Sequence, residues 1–246
     1  MKIIKFLSKL LDGIKNNWKI IIVGLNGVLT IIMGILTVII ALYANNLTET
    51  NNELYKKEIY PHFRVINTIE NQNEKGEYCD EVIRIKNYGG NFYKLDSTAK
   101  TYILFESDGK TYMMPLLGYF FVSQTYSDGD IVRKHYYPNN NWKIADLIIG
   151  VNNILWEEDF SGSYGGPITY VKIAFQDVFG KYATQYFRAN DSELLDNDIG
   201  EKYVDSFNAT LKWNGKSYTF DIDTLTVELL YEFATTDLKN AFLIDK

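Results

Sequence analysis

The sequence predicts a mainly β protein in which an N-terminal transmembrane helix is followed by an antiparallel β-sandwich with a C-terminal helical segment. Three observations lead to this fold class. A run of 25 uncharged residues lies near the N-terminus. The later chain alternates apolar and polar residues with the period of strands, and turn-forming pairs separate these stretches. We therefore expect four segments: a basic amphipathic segment at 1–19, a transmembrane helix at 20–44, a stalk at 45–60 and a β-sandwich domain at 61–246.

The first segment, 1–19, carries five lysines against Asp12. Its apolar residues recur at helical spacing and are Ile3, Ile4, Phe6, Leu7, Leu10, Leu11, Ile14 and Trp18. This pattern is typical of an amphipathic helix with a basic face, and such a helix can lie on the inner leaflet, where anionic lipids attract lysine. The alternative is an ordinary basic flank that only sets the topology.

The uncharged segment 20–44 reads IIIVGLNGVLTIIMGILTVIIALYA. It exceeds the roughly 20 residues that cross about 30 Å of hydrocarbon. A buried core helix is rarely so long without charge. A cleaved signal peptide would have a shorter apolar region, of about 7–15 residues, and a clearer small-residue site than Ala41-Leu42-Tyr43-Ala44. We expect an uncleaved signal anchor.

Lysine placement predicts the orientation of this helix. The N-terminal flank holds the five lysines of 1–19, whereas the other flank has none before Lys56 and Lys57. Because cytoplasmic flanks are enriched in lysine and arginine, we expect a single-pass protein of the cell membrane. Its N-terminus is cytoplasmic and its C-terminal domain is extracytoplasmic.

Small residues form one face of the predicted transmembrane helix. Their spacing alternates between three and four, and they are Gly27, Thr30, Gly34, Thr37 and Ala41. Small side chains let two helix backbones approach closely in lipid, and Asn26 beside them would seek a polar partner. We therefore expect membrane lipid and either a second copy or a partner membrane protein as the partners of this segment. Gly and Thr are also common in single membrane helices, which is the simpler interpretation.

The stalk at 45–60 lacks Gly and Pro before Pro61, so it can continue the helix up to that proline. Strand patterns follow at 63–68, 82–86, 170–175 and 182–187. Tight turns are predicted at Asp108-Gly109, Asp128-Gly129-Asp130, Phe179-Gly180 and Asn214-Gly215. The end, 225–244, contains two helix-compatible stretches.

Two short stretches carry a resemblance. Ile83-Arg84-Ile85-Lys86-Asn87-Tyr88-Gly89-Gly90 and Ala174-Phe175-Gln176-Asp177-Val178-Phe179-Gly180-Lys181-Tyr182 resemble a strand end and a hairpin of bacterial membrane-anchored proteins with an immunoglobulin-like β-sandwich body. The match covers about a third of the body. It implies an architecture and no catalytic residues.

Composition excludes several classes of function. The one cysteine excludes a disulfide framework, the two histidines leave little for His-based chemistry, and the net charge of −6 argues against nonspecific nucleic-acid binding. Exposed aromatics in loops would favour recognition, and the candidates are Tyr119-Phe120-Phe121, Tyr136-Tyr137 and Tyr164; burial in the core is the simpler interpretation.

The acidic residues between Asp191 and Asp205 lack the spacing of a calcium loop, and we interpret them as a solvated loop. We expect no catalytic residues, no cofactor and no metal. The predicted function is a membrane-anchored module for binding, sensing or complex formation. The alternative is a surface hydrolase with paired carboxylates.

Overall fold

The computed structural model describes residues 2–125 and 131–243, and the side chains of these residues except 2, 16, 21, 56 and 57. The predicted turn at Asp128-Gly129-Asp130 and the last residue of the predicted C-terminal segment, Ile244, lie outside the described residues. The chain divides into two compact units, Met1–Glu58 and Ile59–Lys246.

The first unit is formed by one continuous helix, α1, which spans Lys2–Ile59. It passes without a break through the basic, uncharged and stalk segments that the sequence distinguishes. The helix ends at Ile59, two residues before Pro61. This is expected, because a proline disfavours the helical conformation in the residue before it.

The second unit is built mainly of antiparallel strands. In the described residues they are β1 (Phe63–Gln72), β2 (Tyr78–Asn87), β3 (Phe92–Ser107), β4 (Lys110–Leu116), β5 (Val122–Thr125), β6 (Ile131–Tyr136), β7 (Gly162–Asp177), β8 (Tyr182–Arg188), β9 (Glu193–Leu195), β10 (Thr210–Trp213) and β11 (Lys216–Thr219). They form a four-stranded sheet in the order β1-β2-β6-β5, a five-stranded sheet in the order β4-β3-β7-β8-β9, and the β10-β11 hairpin. The four predicted strand stretches lie in β1, β2, β7 and β8.

Helices accompany the sheets. They are α2 (Asn140–Glu157), α3 (Asn197–Gly200), a π-helical turn (Glu201–Asp205), α4 (Val227–Thr235) and a 3₁₀ helix (Asp237–Phe242). The C-terminal helical segment was predicted, and Thr226 caps α4 by accepting a hydrogen bond from the backbone N–H of Leu229. Helix α2, with 18 residues, was not predicted.

Three hydrophobic clusters hold the body together. The first joins β3 and β4 to α2 and α4, with Phe105, Leu155 and Phe233 fully buried. The second combines side chains of both large sheets, and the rings of Phe63 on β1 and Phe175 on β7 lie 5.0 Å apart. The third lies around Tyr102 and Val204. Tyr102 directly precedes Ile103 of the first cluster on β3, so the two side chains point to opposite faces of the strand. Both faces of β3 are therefore covered.

The strand end with the Asn-x-Gly pattern, 87–89, forms hydrogen bonds with the first residues of the body. Asn87 Oδ1 accepts hydrogen bonds from the backbone N–H groups of His62 and Gly89. The N–H of Gly90 donates to the Tyr60 carbonyl at 3.0 Å, and that of Tyr88 donates to the His62 carbonyl at 2.9 Å. A Cβ added to Gly90 would fall 1.9 Å from the Ile59 carbonyl oxygen. Only glycine permits this approach of two backbone segments.

Candidate interaction surfaces

Helix α1 contains a segment, Asn17–Tyr55, that is long and apolar enough to cross a membrane; its most apolar 18-residue stretch has a mean hydropathy of 2.5 and is exposed. All of the predicted helix-association residues lie in this segment and are exposed. At Gly27 and Gly34, an added Cβ would meet nothing within 4 Å. The stripe is therefore an open, shallow surface of α1.

The two threonines of this stripe satisfy their hydroxyl groups within α1. Thr30 Oγ1 donates to the Asn26 carbonyl and Thr37 Oγ1 to the Met33 carbonyl, each at 2.8 Å. Since these donors already have acceptors, they do not require a second helix as a hydrogen-bond partner. What the stripe offers to another helix is close van der Waals contact.

The aromatic residues that the sequence suggested as a recognition surface separate into two groups. Tyr119 and Tyr164 are buried in the core, whereas Phe121 is 78% exposed. Phe121 lines a cleft of about 250 Å³ together with Phe207 and Lys100. That volume is below the roughly 300–1,000 Å³ of sites that enclose a drug-sized ligand. The cleft is therefore not a strong candidate for a small-molecule site.

His135 forms a buried hydrogen bond inside the body. Its Nε2 lies 2.7 Å from Ser97 Oγ, and both residues are buried. Burial lowers the pKa of His135 to about 4, and the neighbouring charge of Arg133 contributes in the same direction. Arg133 in turn pairs with Asp96 at 3.2 Å. A neutral, enclosed imidazole that links β3 to β6 is a structural group, although a serine and an aspartate lie near it.

A second buried polar network surrounds Glu81. Tyr119 donates its hydroxyl hydrogen to Glu81 Oε2, and Asn67 Nδ2 donates to Oε1 at 2.5 Å. Asn140, the first residue of α2, accepts from the Glu81 N–H and donates to the Glu81 and Tyr119 carbonyls. Burial raises the pKa of the Glu81 carboxyl, and its two side-chain hydrogen bonds oppose this effect. The network fixes the start of α2 to β2.

The other buried carboxylate in the described part of the chain is Asp177. Its Oδ1 accepts the backbone N–H groups of Phe179 and Lys181, each at 2.9 Å. Asp177 therefore closes the β7–β8 turn, whereas Glu81 belongs to the network at α2. The two carboxylates serve separate hydrogen-bond networks.

Three of the six acidic residues of 191–205 form ion pairs. Asp191 and Glu193 both pair with Arg188, and Asp205 pairs with Lys172 at 2.7 Å. Within residues 2–125 and 131–243, no group of three or more His, Cys, Asp or Glu side chains is placed to hold a metal ion.

The outer face of α2 is the most apolar exposed surface on a helix of the body. Trp142, Ile149 and Trp156 are 42%, 61% and 81% exposed, and the exposed Ala145 lies between the first two. Their steps of three, four and seven residues place all four within an arc of about 60° on the helix. We call this set the α2 stripe. The sequence spacing alone would have shown it, had the segment been recognised as a helix.

Acidic side chains border the α2 stripe on one side. Asp146 and Glu157 are exposed and lie on the same flank of the helix. The cation of this helix, Lys143, lies further around and pairs with Asp223 at 2.6 Å. The stripe is thus an apolar seam with a negative edge.

Comparisons of the chain with protein-family models, with curated proteins and with solved structures give no match. The resemblance to bacterial membrane-anchored sandwich proteins remains an expectation. The proposal for function therefore rests on the geometry of the described residues.

Proposed function

We propose that the protein is a single-pass membrane protein whose body is a β-sandwich that binds another protein. The N-terminus is cytoplasmic and the body is outside the cytoplasm. The observation that carries the binding function is the α2 stripe. Exposed apolar side chains grouped on one face of a helix can mark an interaction site, and tryptophan is enriched in the centres of interfaces.

The sandwich arrangement is supported by contacts between the two large sheets. Phe63 and Phe175 share one hydrophobic cluster, and the Ser97–His135 hydrogen bond joins β3 to β6. Nuclear Overhauser effects between the rings of Phe63 and Phe175 in the full chain test the arrangement. Rings that show no such effect would contradict it.

The membrane anchor is supported by the length and hydropathy of Asn17–Tyr55. Extraction of membranes at alkaline pH, followed by measurement of the intact mass, tests this part. We expect the full-length chain in the membrane pellet. A soluble chain that starts near residue 45 would show that the apolar segment is a cleaved signal peptide.

The partner that fits the α2 stripe is a helix or surface with an apolar seam and a basic edge. Two copies of α2 packed antiparallel about a two-fold axis would place the same flank against itself. Asp146 and Glu157 of both copies would then share one edge of the interface, where like charges repel. Charge therefore favours a different protein over a second copy.

A photo-crosslinking residue at Ile149 in the full chain, expressed in its own membrane, tests the partner. The matched control is Leu194 on β9, which has nearly the same exposure, 60%. We expect a discrete adduct from position 149 only, and we expect Asp146→Lys with Glu157→Lys to reduce it severalfold. An adduct with a second copy, or one that the charge reversal leaves unchanged, would contradict the proposed partner.

The alternative of a surface hydrolase lacks a comparable observation. In the described residues, the two buried carboxylates, Glu81 and Asp177, have separate structural hydrogen bonds. We therefore do not propose an enzymatic activity.

A further inference from the structure

The first part of α1 has two chemically distinct sides. Because α1 is helical from Lys2, each residue turns by about 100° around the axis. The eight apolar side chains between Ile3 and Trp18 then fall within an arc of about 160°. We call this set the apolar arc; its members are Ile3, Ile4, Phe6, Leu7, Leu10, Leu11, Ile14 and Trp18.

The opposite side is strongly basic. Lys2, Lys5, Lys9, Lys15 and Lys19 all fall on the remaining part of the helix circumference, with Asp12 as the one acidic residue. No lysine interrupts the apolar arc. The partition distinguishes this stretch from the following 20–44, which is apolar on all sides and fits hydrocarbon.

Within the described part of α1, no residue covers the apolar arc. Its side chains are between 47% exposed, at Ile14, and 75% exposed, at Ile3. An apolar surface of this length is unfavourable in water, so another surface must cover it. Since the membrane-spanning stretch begins next to Trp18 and Lys19, this end of the arc is held at the bilayer surface.

Charge identifies the covering surface. A second copy that covered the arc would leave the lysines of both copies without opposite charge. A leaflet that contains anionic headgroups instead offers hydrocarbon to the arc and negative phosphate to the lysines. Trp18, at the end of the arc next to the span, has the side chain that is enriched at the headgroup level.

We infer that residues 3–18 form an interfacial helix that binds an anionic lipid leaflet, with the apolar arc in the hydrocarbon boundary and the lysines of the polar side attracted to the headgroups. This inference rests on the proposed membrane anchor. It requires that the axis of α1, which is unbroken from Lys2 to Ile59 in the structure, bend between Lys19 and Gly27 in the bilayer. Gly24 and Gly27 are the residues there that least resist a kink. The transmembrane segment anchors the protein, and residues 3–18 add recognition of the charge of the lipid headgroups.

The test uses the full chain in lipid nanodiscs of phosphatidylcholine with or without phosphatidylglycerol. Cys79 is replaced by alanine, and an environment-sensitive fluorophore is placed at Leu10→Cys in the arc or at Leu36→Cys in the span. We expect the emission at position 36 to be that of hydrocarbon in both lipids. At position 10 we expect an emission at least about twofold higher when phosphatidylglycerol is present.

Charge variants sharpen this test. Lys5→Glu with Lys9→Glu should abolish the gain at position 10, whereas Lys5→Arg with Lys9→Arg and the body variant Lys110→Glu should retain it. Salt at about 1 M should reduce the gain, because the Debye length falls to about 3 Å.

The outcomes separate this inference from the anchor. A water-exposed label at position 10 in both lipids, with position 36 in hydrocarbon, would overturn the interfacial helix and leave the anchor intact. Equal emission at position 10 in both lipids, or self-quenching between labels of two copies, would overturn the anionic leaflet as the binding surface. Labels in water at both positions would overturn the anchor itself.

Discussion

His135 shows how a single buried side chain makes the stability of the body depend on pH. Its pKa is lowered from 6.5 to about 4 by burial, with Arg133 acting in the same direction and Asp96 against it. The unfolded chain therefore binds more protons than the folded chain between these two values. Stability from the neutral imidazole is complete above pH 6.5 and is lost as the pH falls toward 4.

The first prediction concerns this pH dependence. Between pH 7 and pH 4, the contribution of His135 to the free energy of unfolding should fall by about 3 kcal/mol. Urea unfolding at several pH values measures it, and His135→Gln should flatten the curve. A pH dependence in His135→Gln equal to that of the parent protein would refute the assignment.

The second prediction concerns the hydrogen bond from Tyr119 to Glu81. Loss of this donor in Tyr119→Phe leaves the buried carboxylate less stabilised, at a cost of about 1–3 kcal/mol at pH 7. The pKa of Glu81 is already raised by burial and should rise further. The penalty should therefore be smaller at pH 4, where the carboxyl is protonated. Differences in unfolding free energy between variant and parent at the two pH values test this, and equal penalties would contradict it.

At the scale of single residues, the sequence lists the side chains that can form contacts, but it does not show which of them meet. The sequence identifies His135 as one of two histidines, but it does not show that the imidazole is buried against Ser97. The Glu81 network could not be foreseen, because Asn67, Tyr119 and Asn140 come from distant parts of the chain. Their convergence depends on where α2 packs.

Hairpins are the elements that the sequence located most sharply. Asp108-Gly109 joins β3 to β4, and Asn214-Gly215 joins β10 to β11. All four residues have positive φ, between 48° and 75°. This is the conformation of the tight hairpin turn that Asp-Gly and Asn-Gly favour. Local chemistry alone determines these elements.

The third prediction follows from this conformation. Gly109→Ala should destabilise the body by about 1 kcal/mol, because a Cβ is disfavoured at its φ of 71°. Gly166→Ala is the control: its added Cβ also meets nothing within 4 Å, and its φ is not in the left-handed range. Thermal unfolding of the two variants should separate them. A similar loss at both positions would show that backbone conformation is not the cause.

The fourth prediction concerns the small-residue stripe of α1. Gly34→Leu should weaken association of membrane helices by about 1 kcal/mol, since bulk at the centre of the stripe keeps two backbones apart. The change leaves the single helix undisturbed, because an added Cβ at Gly34 meets nothing. A genetic reporter of helix association compares it with Ile35→Leu, which lies off the stripe. Equal signals from the two variants would leave the stripe as ordinary membrane composition.

Helix α2 is the element that the sequence analysis missed. Its segment, NNWKIADLIIGVNNILWE, lies between strands and contains a glycine and two Asn-Asn pairs. These residues are poor helix formers. Its buried side chains, Ile144, Val151 and Leu155, pack in the cluster with α4 and β3. Tertiary packing rather than propensity stabilises this helix.

The fifth prediction concerns the orientation of the whole protein in the membrane. With five lysines before the span and none directly after it, the body should face away from the cytoplasm. Protease added to cells whose outer envelope has been opened should degrade residues 59–246 and leave an N-terminal fragment. Cells with an intact envelope are the control. A body that stays protected until the membrane is dissolved would reverse the orientation.

At the scale of the whole molecule, the order of elements was more predictable than their arrangement. Periodicity and turns indicate a long apolar helix, a β-rich body and a helical C-terminus, because each signal is local. The strand orders β1-β2-β6-β5 and β4-β3-β7-β8-β9 depend on pairings between residues far apart in sequence. For example, Phe92 pairs with Asp177. No local pattern encodes such pairings.

The glycine contact at the entrance of the body has a mechanical consequence. A pull on a body held by one N-terminal helix enters the fold at Ile59. The hydrogen bonds from Gly90 to Tyr60 and from Tyr88 to His62 would bear that force first. Beyond them lies β1, an edge strand of its sheet, with the buried Phe63 and Val65. Tension would therefore peel β1 from β2 before it reached the rest of the body, and the Gly89–Gly90 contact sets the threshold for that event.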